Sequence, residues 1–72
     1  MNIDKIKSMI EANMNKRLEF RLNGSRNQIE EFSGYIVNVY KSVFIIKSIN
    51  SDVIRSFSYS DILIGNLEIL KY

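Results

Sequence analysis

The sequence contains no cysteine, histidine, tryptophan or proline and only three glycines. Each absence removes a class of chemistry. Without cysteine there is no disulfide framework and no thiol nucleophile. Without histidine there is no imidazole base, and with both missing there is no Cys/His zinc site. Small secreted domains ordinarily carry disulfide staples, so a cysteine-free chain of this size points to a reducing cytoplasm. The longest apolar run, Val43-Phe44-Ile45-Ile46, is far too short to cross a bilayer, and no signal-peptide-like run opens the chain. The composition therefore predicts a soluble cytoplasmic protein that is not an enzyme, binds no cofactor or metal, and has no membrane contact.

What is present has globular proportions. Of 72 residues, 46% are hydrophobic and 25% charged, which is too apolar for a disordered tail. A chain this short buries only about 60% of the surface its unfolded form exposes. One domain spanning residues 1–72 is expected, of marginal stability, for which self-association as a homo-oligomer would compensate. The net charge of +2 is unevenly placed. Six basic side chains and three acidic ones fall in residues 1–27, against four and five in residues 28–72. A basic N-terminal third permits contact with phosphate without demanding it.

Periodicity divides the chain. Ile3, Ile6, Ile10 and Met14 recur at helical spacing, with Met9 beside them, and Asp4, Lys5, Lys7 and Glu11 fall on other faces. Asn2 suits the N-cap, Asp4 the positive end of the dipole, and Asn13 or Asn15 a left-handed stop. This helix lies within residues 1–14 and covers about residues 3–13. From Lys16 the period becomes two. Leu18, Phe20 and Leu22 alternate with Arg17, Glu19 and Arg21 up to the turn signal Asn23-Gly24-Ser25. A long strand from Gln28 to Tyr40 changes its apolar parity around Gly34, which predicts a bulge or bend there. Val43–Ile49 and Val53–Tyr59 read as further strands, with Val53, Arg55, Phe57 and Tyr59 on one face and Asn50-Ser51-Asp52 as the turn between them. Ser60-Asp61-Ile62-Leu63 reads as one turn of 3₁₀ helix, with Asp61 as a local cap, ahead of a last strand from Leu67 to Leu70.

A helix, four meandering strands, a helical turn and a fifth strand describe a mainly β fold. The expected architecture is a small five-stranded antiparallel SH3-like or Sm-like barrel over residues 16–72, with an N-terminal α-helix. Closure would hide most of the sheet edge. An OB-fold normally places a helix between strands three and four, where this chain has only a short turn.

Several segments also resemble the Veg family of small Gram-positive bacterial proteins associated with biofilm formation and gene regulation. They are Asn15-Lys16-Arg17-Leu18, Asn23-Gly24-Ser25-Arg26, Glu31 through Gly34, Tyr40-Lys41-Ser42-Val43-Phe44 and Ser58-Tyr59-Ser60-Asp61-Ile62-Leu63. The chain departs from that family's pattern at Asn15, Ser25 and Lys41, and carries fewer basic residues just after Arg26. The resemblance implies a cytosolic regulator that acts through a protein partner, such as a transcription regulator. It implies no reaction.

The candidate partner- or phosphate-binding residues are Lys16, Arg17, Arg21, Asn23, Arg26, Tyr40 and Tyr59. Arg17 and Arg21 share the outward face of one strand, and Arg26 extends it past the turn. Together they form either a basic ridge for phosphate or an acidic partner, or simply a solvated face interleaved with Glu19. Asn23-Gly24-Ser25-Arg26 has one glycine and opens no helix, so it reads as a hairpin turn and not as a phosphate loop. Tyr40 and Tyr59 are the aromatics expected to present exposed edges for stacking. Adjacent Glu30 and Glu31 point to opposite faces of a strand, which defeats a paired-carboxylate site. Two readings follow. The first is a non-enzymatic regulatory module that binds a protein; the alternative is a small RNA- or DNA-binding barrel that uses the basic ridge.

Overall fold

The computed structural model describes residues 2–24 and 28–71. Helix α1 (Ile3–Ala12) forms where the apolar stripe predicts it. The Asn2 side chain accepts a hydrogen bond from the Lys5 N–H at 2.9 Å, and Asp4 lies in the first turn. Ile6 and Ile10, one turn apart, are fully buried, and Ile3, Met9 and Met14 pack around them. The helix stops because Asn13 turns back, its Nδ2 donating to the Met9 carbonyl at 2.8 Å, and Asn15 takes the left-handed conformation at φ 63°.

Five strands follow: β1 (Arg17–Asn23), β2 (Ile29–Val39), β3 (Val43–Ser48), β4 (Ile54–Ser58) and, after helix α2 (Tyr59–Leu63), β5 (Leu67–Lys71). They form one antiparallel sheet in the order β4-β3-β2-β1-β5. The long strand β2 is shared. Its first part pairs with β1, from Asn23 opposite Ile29 to Arg17 opposite Tyr35, and its second part pairs with β3 from Gly34 onward.

The bulge expected near Gly34 lies further along. The register with β3 slips between Ile36 and Asn38, so Val37 is the extra residue, and the buried parity changes there. Gly34 serves the bend differently. A Cβ at this position would stand 2.7 Å from the Lys47 carbonyl oxygen and 2.9 Å from Ile46 Cγ2, so only glycine lets β3 approach this closely.

The expected barrel does not close. β5 returns beside β1, but among the described residues no pairing joins β4 to β5, and the sheet stays open between them. Side chains cover the inner face instead. α1 contributes Ile6 and Ile10, and the start of α2 contributes Tyr59. Phe32 on β2 stacks against Phe57 on β4 with ring centroids 6.5 Å apart, spanning the intervening strand. That contact shows how strongly the sheet curls.

The expected 3₁₀ turn is a short α-helix. Ser58 Oγ accepts from the Asp61 N–H at 3.2 Å, and Asp61 Oδ2 accepts from the Ser58 N–H at 2.9 Å. This reciprocal capping box satisfies two end donors and favours the α form. Gly65, at φ +84°, ends the turn.

The core comprises Ile6, Ile10, Leu18, Phe20, Ile36, Phe44, Ile46, Tyr59 and Leu67. A run of rings crosses it, Phe20 to Phe32 at 5.3 Å, Phe44 to Phe57 at 6.2 Å and Phe44 to Tyr59 at 5.5 Å between centroids. Aromatic pairs at such separations add to the burial of their area.

Candidate functional site

Because side chains alternate along a strand, burying Leu18 and Phe20 forces Arg17, Glu19 and Arg21 onto the outer face of β1. Their cross-strand partners on β2 are Tyr35, Ser33 and Glu31. Arg17 is well exposed and lies 3.9 Å from Glu19, a loose ion pair. Glu19 accepts a hydrogen bond from the Ser33 hydroxyl at 2.6 Å. Arg21 is held on both sides. Its Nη2 is 3.0 Å and its Nε 3.1 Å from Glu31 on β2, and its Nη1 is 3.5 Å from Glu68 on β5. The outer face is therefore a lattice of both signs, fixed by strand register.

The other candidates separate into different roles. Lys16 is exposed just before β1. Asn23 is a structural tie, its Nδ2 donating to the Gly65 carbonyl at 2.7 Å and its backbone N–H to the Asn66 carbonyl at 2.8 Å. The Gly24 N–H donates to the Gln28 carbonyl at 2.7 Å, and Ser25 and Arg26 of the expected turn lie outside the described residues.

Tyr40 and Tyr59 come together, but not as a stacking platform. Tyr40 is 53% exposed, whereas Tyr59 is only 1% exposed, which corrects the expectation of an accessible edge there. Tyr59 opens α2 and turns into the core, its hydroxyl donating to the Tyr40 carbonyl at 2.5 Å. Burial raises the Tyr59 phenol above its ordinary value of 10.0, and the nearby Glu11 carboxylate raises it further.

Sequence reasoning missed the carboxylates that hold Arg21. Glu31 was accessible in principle, because the hairpin between Asn23 and Ile29 fixes it opposite Arg21. Glu68 comes from a strand 47 positions downstream, a pairing that no local signal announces. The adjacent glutamates do point to opposite faces. Glu30 meets Arg55 of β4 at 2.9 Å on the inner rim, where the Arg55 guanidinium also lies 5.0 Å from the centre of the Phe32 ring.

Among the described residues, no group of acidic side chains converges to hold a metal ion, and no helix is long and apolar enough to cross a membrane.

The architecture is that of a small, mainly β protein capped by a helix, with an ordered charged face on its first strand. A family model described as "Biofilm formation stimulator VEG" matches residues 1–70, and the chain belongs to that family. The resemblance seen in its segments is thereby confirmed, and the family's description supports a regulatory role in biofilm formation. None of the curated proteins matches the chain.

Proposed function

We propose that this protein is a non-enzymatic cytoplasmic regulatory module that binds a protein partner, such as a transcription regulator, through the outer face of β1 and the strands beside it. The supporting observation is the placement of Arg21 between Glu31 and Glu68. A polyanion approaching this face would meet two carboxylates already occupying its central cation, so like charges would face each other. A protein surface of alternating charge can match the lattice row by row, with Arg17, Glu19 and Arg21 each opposed by its complement.

The alternative is RNA or DNA binding through Lys16, Arg17 and Arg26 with Arg21 at the centre. It rests on the exposure of Lys16 and Arg17. Titrating labelled single-stranded RNA and duplex DNA with the purified protein at several salt concentrations separates the two. Phosphate binding weakens along a log–log line whose slope counts the phosphates neutralised. The protein-partner reading expects no measurable affinity at low salt, together with a reproducible protein partner that Arg21→Glu no longer retains. A steep salt-dependent affinity lost in Arg17→Ala would overturn it.

A further inference from the structure

We propose that the open edge of β4 pairs with β4 of a second copy of this chain, antiparallel and centred on Ser56. The hydrogen-bond alternation in β4 is fixed at its two ends. The Ser48 N–H donates to the Val53 carbonyl at 2.9 Å, and the Tyr59 N–H to the Ser42 carbonyl at 3.4 Å. Residues 53, 55, 57 and 59 are therefore the ones bonded to β3. Ile54, Ser56 and Ser58 turn their N–H and C=O groups toward the open edge. Of these, the Ser58 N–H is already taken by Asp61 Oδ2 at 2.9 Å.

The two edges of the sheet are not alike. On β5 the register with β1 slips between Glu19 and Phe20, leaving Leu70 as an extra residue, and the strand carries the exposed Glu68. A bulge and a charge are the usual means of blunting an edge. β4 has neither. It runs in unbroken register with β3 from Ile54 opposite Lys47 to Ser58 opposite Val43. Its single charged residue, Arg55, folds inward onto Glu30 and Phe32. What remains is a regular, electrically neutral strand edge, beside which Val53 and Ile54 stand 46% and 66% exposed.

A second copy fits all of these free groups but the Ile54 carbonyl, whose counterpart would be the occupied Ser58 N–H. With Ser56 opposite Ser56, each serine exchanges its N–H and C=O with its counterpart. Ile54 then lies opposite Ser58, so each Ile54 N–H meets the one free backbone group of Ser58, its carbonyl. The arrangement is self-complementary about a two-fold axis, the commonest symmetry of small oligomers. No charge lies directly opposite a like charge, because Arg55 faces Phe57 of the second copy. It also carries Val53 and Ile54 of each copy toward the partner's α2, where Leu63 and Ile64 are exposed. This inference is independent of the charged face on β1.

Sedimentation velocity on the purified full chain over a wide concentration range tests it, compared with Ser56→Pro and Ile54→Lys. Ser56→Pro removes only an outward-facing N–H, so every bond to β3 survives. Ile54→Lys places an ammonium on an edge that dimerisation would bury. The expected result is a reversible dimer whose dissociation constant rises about tenfold or more in both variants, with circular dichroism unchanged. A wild-type protein that stays monomeric at the highest concentration overturns the inference. So does a dimer that neither correctly folded variant weakens, or a monomer whose β4 edge is instead needed to capture a different protein.

Discussion

Along β1, neighbouring residues face two different environments. Leu18 and Phe20 are buried in the core, Phe20 stacked on Phe32, whereas Arg17, Glu19 and Arg21 lie in a solvated lattice of ion pairs. The inner residues stabilise the fold through area removed from water and close packing. The outer ones add little stability, because exposed ion pairs are screened and lose side-chain entropy. One strand thus separates buried from solvated residues by parity alone, and if the outer face is the recognition surface proposed above, substitutions should sort accordingly. The severest break is expected from Phe20→Ala, which empties the position stacked on Phe32 at 5.3 Å. Such a truncation costs about 3–5 kcal/mol, comparable with the whole stability of a domain this small. Urea denaturation should show a protein largely unfolded without denaturant; a midpoint close to wild type would show that the ring run is not what holds the inner face together.

The next effect tests whether the inner face tolerates added volume at its bend. In Gly34→Ala the new methyl would stand 2.7 Å from the Lys47 carbonyl oxygen, a backbone atom that cannot swing aside. A loss of about 1–3 kcal/mol is expected from such overpacking, read as a lower thermal midpoint. A neutral result would mean that β2 and β3 can separate locally at no cost.

Gly34 also marks the limit of what the sequence discloses. The change of apolar parity in β2 was legible, and so was some irregularity, because period-two patterns cannot switch face without an extra residue. Its position was not, because Gly34 and Val37 both interrupt the pattern and only the pairing with β3 decides between them. Local signals were otherwise informative. Asn2 caps α1, Asn15 takes positive φ, and Asp61 caps the turn before β5, each through contacts within a few residues. The failures are non-local. The open gap between β4 and β5, the burial of Tyr59 and the clamp of Glu68 on Arg21 all depend on which distant elements meet.

Tyr59 sharpens the comparison, since it is a polar residue on the buried side. Its hydroxyl bond to the Tyr40 carbonyl is worth about 1 kcal/mol, and Tyr59→Phe should lose about that much at neutral pH. The pH dependence carries a sign. The folded-state value is raised above the ordinary 10.0, so the neutral phenol is favoured in the folded protein. Its contribution is present in full below the unfolded-state value and is lost as pH rises through the folded-state one. Wild type should therefore lose stability above pH 10.0 more steeply than Tyr59→Phe. Parallel alkaline profiles from urea melts would show that Tyr59 ionises freely.

The smallest stability effect and the largest functional one should coincide at Arg21. Its pairs with Glu31 and Glu68 join three strands, yet the Arg21 side chain is 39% exposed. Solvent screening limits their worth to about 1 kcal/mol or less, so Arg21→Ala should barely move the thermal midpoint. Removing it leaves Glu31 and Glu68 uncompensated on neighbouring strands and turns the centre of the outer face from mixed to acidic. A partner matched to alternating charge should then dissociate faster while the fold is intact, which surface plasmon resonance can follow beside a thermal melt. If instead Arg21→Ala unfolds the protein as readily as Phe20→Ala, the outer lattice is structural and the division of β1 by parity fails.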